Sequence, residues 1–145
     1  MSICQIMQPW EYDEIADLDW LPQAVRNAFC RFSDRSKNAI AVKYTNNGVV
    51  EGVGIGKLVQ NELVIGHLNV KDDARNGGIG SGLLNCFLEI ASQHHATCRL
   101  QVAPSNRKAR RLYGRFDFSA VRDERDPKTL WMTRKTGVAE CFTAL

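Results

Sequence analysis

The stretch Leu68-Asn69-Val70-Lys71-Asp72-Asp73-Ala74-Arg75-Asn76-Gly77-Gly78-Ile79-Gly80-Ser81-Gly82-Leu83-Leu84 decides the fold. An apolar run ends at Val70. Glycines then crowd between Gly77 and Gly82, after which Ile79, Leu83, Leu84, Phe87, Ile90 and Ala91 keep the spacing of one helical face as far as Gln93. A strand therefore passes into a helix at the glycines. Residues without a Cβ let a ligand approach the backbone, and the first N–H groups of a helix have no intrachain partner, so the site suits an anion. Arg75 adds a guanidinium fork at its mouth. A tight turn alone also uses glycine, but the number of glycines here favours a ligand. The dinucleotide fingerprint GxGxxG fails, because Leu83 stands at the third position after Gly78 and Gly80.

Upstream, Leu63 to Val70 reads as a strand entered through a turn at Gln60-Asn61-Glu62, with a partner strand from Val49 to Val59. Gly52-Val53-Gly54-Ile55-Gly56-Lys57 sits inside that partner and lacks the GxxxxGK spacing and the Ser or Thr of a phosphate loop, so it reads as bulged or closely packed strand. Asn38 to Tyr44 joins it through Thr45-Asn46-Asn47-Gly48, Ile3 to Met7 is a first strand, and Leu21 to Phe32 is a helix preceded by an acidic helical stretch. Downstream, Thr97 to Ala103 is a strand closed by Pro104, and Ser105 caps a helix running through Phe116 with Ala109, Leu112 and Phe116 on its stripe. Strands Phe118 to Asp123 and Leu130 to Arg134 follow, separated by a polar connection with Asp126-Pro127. The order β-α-α-β-β-β-α-β-α-β-β gives a mixed α/β sheet of the α+β kind, with an antiparallel front and a parallel βαβ centre, in a single domain over residues 1–145.

Composition agrees: 145 residues, 44% hydrophobic and 24% charged, suit one globular domain and exclude disorder or a collagen-like chain. Cys4, Cys30, Cys86, Cys98 and Cys141 show neither CxxC pairs nor zinc-finger spacing and read as reduced, mostly buried thiols, with no metal expected. No secretory signal or membrane-spanning run is legible, so a cytoplasmic protein is expected. The formal charge is only +3, yet Glu11, Asp13, Glu14, Asp17 and Asp19 crowd one stretch while Ile90 to Phe116 carries six bases and no acid. That basic segment offers Tyr113 alone for base stacking, beside the stripe residue Phe116, so no nucleic-acid partner is expected.

Arg75, Gly78 and Gly80 form an RxxGxG pattern directly after a strand, and Asn106-Arg107-Lys108-Ala109-Arg110-Arg111-Leu112-Tyr113 forms NxxAxxLY. Together they resemble the GNAT superfamily of acyl-CoA-dependent N-acetyltransferases, over essentially the whole chain. Asp117 stands where that family usually has Gly. The resemblance implies acetyl-CoA as cosubstrate, its pyrophosphate held by the backbone of Arg75, Asn76, Gly77, Gly78, Ile79, Gly80 and Ser81, and its pantetheine arm paired with Leu68, Asn69 and Val70 and met by Asn106. These placements fit the chemistry, since a helix N-terminus takes charge and an open sheet edge takes an amide-bearing arm. Some of Arg107, Lys108, Arg110 and Arg111 either face the nucleotide phosphates or form a solvated face.

Tyr113 is similar to the family's general acid, able to protonate the departing thiolate; a strand N–H near Leu68 is the expected donor to the thioester carbonyl. Simple alternation puts Val64 and Gly66 on the face of Leu68, gives Glu62 that parity and sends His67 to the other face unless a bulge re-aims it, so no base is assigned. His94 and His95 end a helix and receive no role. The acidic stretch either attracts a cationic amine acceptor or is a soluble helix face; Trp10, Trp20 and Trp131 either line that acceptor site or fill the core, with core favoured. The function expected is transfer of acetyl to a primary amine of a small molecule or peptide, with an acyl-CoA-binding module as the alternative. The tail from Gly137 to Leu145 is apolar enough to dock on its own chain or on a neighbour, which leaves a homodimer open.

Overall fold

The structure, a computed structural model, describes residues 2–35, 38–74, 77–121 and 128–134, without the side chains of residues 9, 16 and 30–35. Arg75, Asn76, the Asp126-Pro127 connection and the tail lie outside the described residues, as do the side chains of Cys30 and Phe32. In chain order come β1 (Ser2–Ile6), α1 (Tyr12–Ala16), α2 (Gln23–Arg35), β2 (Ala39–Asn46), β3 (Val49–Val59), β4 (Glu62–Val70), α3 (Ile79–Gln93), β5 (Thr97–Val102), α4 (Arg107–Arg115), β6 (Ser119–Val121) and β7 (Leu130–Arg134). The seven strands form one sheet in the order β1-β2-β3-β4-β5-β7-β6, antiparallel except for β4 beside β5. The expected mixed sheet and element order are those observed.

Local chemistry moves several boundaries. β2 runs on to Asn46, because the two-residue loop of Asn47 (φ 51°) and Gly48 (φ 83°) supplies the positive dihedrals a tight hairpin needs. α2 starts at Gln23, since Pro22 disfavours helical geometry at Leu21 and its carbonyl accepts from Val25 and Arg26. Asn106, and not Ser105, caps α4: its Oδ1 accepts from the N–H of Ala109 at 3.2 Å.

The sheet is covered on both faces. α3 packs Leu83, Leu84 and Phe87 on one; α1 and α2 pack Tyr12, Ile15, Val25 and Phe29 against Ala41, Val53 and Ile55 on the other. The glycines of β3 make room for α3: a Cβ on Gly52 would stand 2.7 Å from Ile79 Cγ2, and one on Gly54 2.6 Å from the Phe87 ring. Close packing is thus their role.

β4 is bulged. Ile55 pairs with His67, but Gly56 pairs with Ile65, leaving Gly66 as the extra residue. Register partners share a face, so Leu63, Ile65, Leu68 and Val70 join the glycines of β3 on the α3 side, while Glu62, Val64, His67 and Asn69 take the opposite side. This corrects the parity read from simple alternation, which put Glu62 and Val64 with Leu68.

Candidate active site

β4 and β5 pair from Glu62 opposite Thr97 to Ile65 opposite Leu100, and there the pairing stops. Beyond it β4 continues beside β3 to Val70, and β5 beside β7 to Val102. The two strands therefore part next to the bulge, and each turns one backbone edge toward the gap. A cleft of about 220 Å³ occupies the opening, lined by Ile65, Gly66, His67, Leu68, Asn69, Leu100, Gln101 and Tyr113. His67 and Tyr113 are the two ionisable groups in that lining.

On the α3 side a larger cleft of about 660 Å³ is lined by Leu68, Asn69, Val70, Gly78, Ile79, Gly80, Ser81 and Asn106, all named from the sequence, together with Lys108, Ala109, Leu112 and Arg115. Gly77 lies outside this lining. Gly78 is the N-cap of α3 at φ 79° and offers no side chain to the first-turn amides. A Cβ on Gly78 would meet nothing within 4 Å, and one on Gly80 would reach Leu112 Cδ2 at 3.5 Å, so these glycines leave the backbone open to a ligand. The residues present thus fit an anionic group with an extended arm. Asn106 spends its Oδ1 on the cap, which directs its amide NH₂ as the donor group. Of the α4 bases, Lys108 and Arg115 face this cleft, whereas Arg107, Arg110 and Arg111 line a separate hollow with Met132.

Tyr113 is fixed from both ends. Its side chain packs against the α3 core, and its ring lies 6.0 Å from that of Phe118 at 56°. Asp117 adopts φ 66°, donating to the Gly114 carbonyl at 3.1 Å, and Phe118 donates to the Tyr113 carbonyl at 3.1 Å. This is a Schellman closure with its usual apolar contact, so Asp takes the left-handed position that favours Gly. Burial raises the phenol's pKa above its ordinary value, which keeps the proton on the oxygen.

The bulge after Ile65 was the feature that simple alternation missed, and with it the face of Glu62 and Val64, whereas His67 lies on the face opposite Leu68 as expected. The alternation rule carries no mark of an inserted residue other than Gly66 itself. Glu62 is engaged by Arg99 at 3.2 Å, and the same guanidinium lies 4.3 Å over the ring of Trp131. Trp10 is 76% exposed and not core, Trp131 is half-buried, and the half-buried Trp20 packs against the core under α1 and α2. The acidic stretch divides. Glu11, Glu14 and Asp19 border a cleft of about 360 Å³ with Trp20, Lys43 and Lys71, while Asp13 and Asp17 point to solvent. Glu11 is ion-paired with Lys43 and accepts from the N–H of Gln8 at 2.7 Å, and these contacts lower its pKa. Among the described residues, no group of three His, Cys, Asp or Glu could hold a metal ion, and no helix is long and apolar enough to cross a membrane.

The family model of the acetyltransferase (GNAT) family matches residues 2–118. The chain belongs to the GNAT acetyltransferase family. Solved structures agree on the fold of this GNAT chain. The ribosomal-protein-S18-alanine N-acetyltransferase from Escherichia coli has a TM-score of 0.77 at 18% identity, covering 93% of this chain and 94% of that one. The PaiA N-acetyltransferase from Thermoplasma acidophilum, in complex with coenzyme A, has a TM-score of 0.72 at 13% identity, over 93% and 99%. The GNAT domain of S. lividans PAT has a TM-score of 0.77 at 11% identity, over 92% and 90%. No curated protein matches the sequence. Family membership makes this GNAT chain an acetyl-CoA-dependent acyltransferase, of a family that acts on amine acceptors.

Proposed function

We propose that the chain moves the acetyl group of acetyl-CoA directly onto a primary amine of a cationic small molecule or peptide. The observation that carries this is the opening between β4 and β5, with Tyr113 of α4 and His67 of β4 both in its lining. Among the described residues no Cys or Ser lines it, which supports transfer without a covalent acyl-enzyme. Acetyl-CoA supplies an activated acetyl group as its thioester. The amides at the start of α3, with Lys108 and Arg115, hold the phosphates; Leu68, Asn69 and Val70 pair with the extended arm, and Asn106 donates to it.

His67 accepts a proton from the attacking amine as the C–N bond forms, and Tyr113 donates its phenolic proton to the sulfur as the C–S bond breaks. Solvent returns the proton from imidazolium to phenolate, so the cycle balances. The cleft with Glu14, Asp19 and Trp20 lies on the same face as His67, since Lys43 pairs with Val53 and Val53 with Asn69. Its carboxylates and indole face favour a cationic acceptor.

Thiol release from acetyl-CoA with spermidine, kanamycin or a lysine-bearing peptide tests the reading. Turnover with at least one, together with a higher unfolding temperature in acetyl-CoA, is expected; saturating ligand at 100 times its Kd adds about 2.7 kcal/mol. Binding without thiol release would instead mark an acyl-CoA-binding module. Replacing His67 by Gln should lower kcat while leaving the Kd for acetyl-CoA unchanged.

A further inference from the structure

We propose that Cys4 and Cys86 are a peroxide-sensitive dithiol that closes to a disulfide joining the edge strand β1 to helix α3. Both are free and half-buried. The fold brings them together through Gly82. Cys4 pairs across β1–β2 with Tyr44, and the Tyr44 ring lies against Gly82, where a Cβ would come within 2.7 Å. The missing side chain lets α3 descend onto the sheet edge. Cys86 is four residues beyond Gly82, on the same stripe of the helix, and so lands beside Cys4. There the two thiols lie within interaction range of each other, both against the core under α3.

The contact between the two thiols sets the order of the chemistry. It favours the thiolate of Cys86 and holds the proton on Cys4, while the nearby Glu89 carboxylate opposes ionisation of both. The Cys86 thiolate attacks one oxygen of hydrogen peroxide: an S–O bond forms, the O–O bond breaks, and hydroxide leaves to become water. The Cys4 sulfur then attacks the Cys86 sulfur. The S–S bond forms, the S–O bond breaks, and a second water departs with the Cys4 proton. Two electrons pass from the thiols to the peroxide, which is reduced to water. Cys98, by contrast, is buried in the α3 core with its thiol pushed up to about 12, and stays reduced.

The bond would pin an edge strand, which pairs with β2 alone among the described residues, to the helix whose first turn borders the large cleft. It would also close a loop spanning most of the chain, which constrains the unfolded state.

The test treats the whole protein with hydrogen peroxide and maps its peptides by mass spectrometry without reduction. A peptide joining Cys4 to Cys86 is expected, lighter by two hydrogens and released by dithiothreitol, along with an unfolding temperature several degrees higher in the oxidised form. Cys4→Ser should leave Cys86 as a sulfenic acid that dimedone traps. The proposal is overturned if both thiols stay free, if Cys86 passes to its sulfinic acid with Cys4 unlinked, or if peroxide joins either to Cys30 or Cys141. The wild-type map alone decides, so a variant that fails to fold does not remove the test.

Discussion

The N–H of Phe118 reaches the carbonyl of Tyr113 at 3.1 Å while the two rings pack 6.0 Å apart, so the turn that ends α4 also holds the phenol over the cleft. Asp117 makes this closure at φ 66°, where a Cβ is strained. Asp117→Gly should stabilise the protein by about 1 kcal/mol in chemical denaturation, with kcat unchanged because Tyr113 keeps its place. A loss of stability would show that the Asp side chain, and not the backbone geometry, holds the turn.

Tyr113→Phe removes the proton and keeps the ring. The expected result is a fall in kcat of about 100-fold or more with the Kd for acetyl-CoA unchanged, measured by thiol release and calorimetry. Because burial raises the phenol's pKa, the wild-type rate should hold until the pH exceeds the ordinary tyrosine value of about 10. Equal turnover by wild type and variant would take Tyr113 out of the mechanism.

Two glycines in neighbouring strands should respond differently to alanine. A methyl on Gly54 would stand 2.6 Å from the Phe87 ring, in a core without slack, whereas one on Gly66 would meet nothing nearer than the Ile55 carbonyl at 3.7 Å. Gly54→Ala should cost about 1–3 kcal/mol and Gly66→Ala about 0.5 kcal/mol or less, read from denaturant midpoints.

The anion end is tested by Gly78 and Gly80. Gly78→Ala places a Cβ at φ 79° and should cost about 1 kcal/mol of stability. Gly80→Val should fold, because its Cβ would make ordinary contact with Leu112 at 3.5 Å, yet raise the Kd for acetyl-CoA about tenfold or more. Unaltered binding by the folded valine variant would move the phosphates elsewhere.

Glu11 ties the first helical turn to β2 through Lys43. Its lowered pKa means that the folded state favours the carboxylate, so its contribution is complete above the ordinary glutamate value of about 4.3 and is lost as the pH falls through the lower folded value. Glu11→Gln should therefore destabilise by about 1 kcal/mol at pH 7, and the gap between variant and wild type should close in strong acid.

By itself the sequence determined what depends on near neighbours. Hydrophobic period marked α3 from Ile79 to Gln93, Asn47-Gly48 marked a hairpin, and the RxxGxG and NxxAxxLY patterns marked the two stretches that meet at the large cleft. Tertiary structure alone decided matters of register and approach. Only the pairing of β3 with β4 reveals that Gly66 is inserted, and that insertion carries Glu62 and Val64 to the face opposite Leu68, where they join His67. Only the descent of α3 explains why β3 carries Gly52, Gly54 and Gly56, and why Gly82 lies under Tyr44. The physical reason is that period and turn chemistry act over a few residues, whereas a strand's register and a helix's height are set by contacts between residues far apart in the chain.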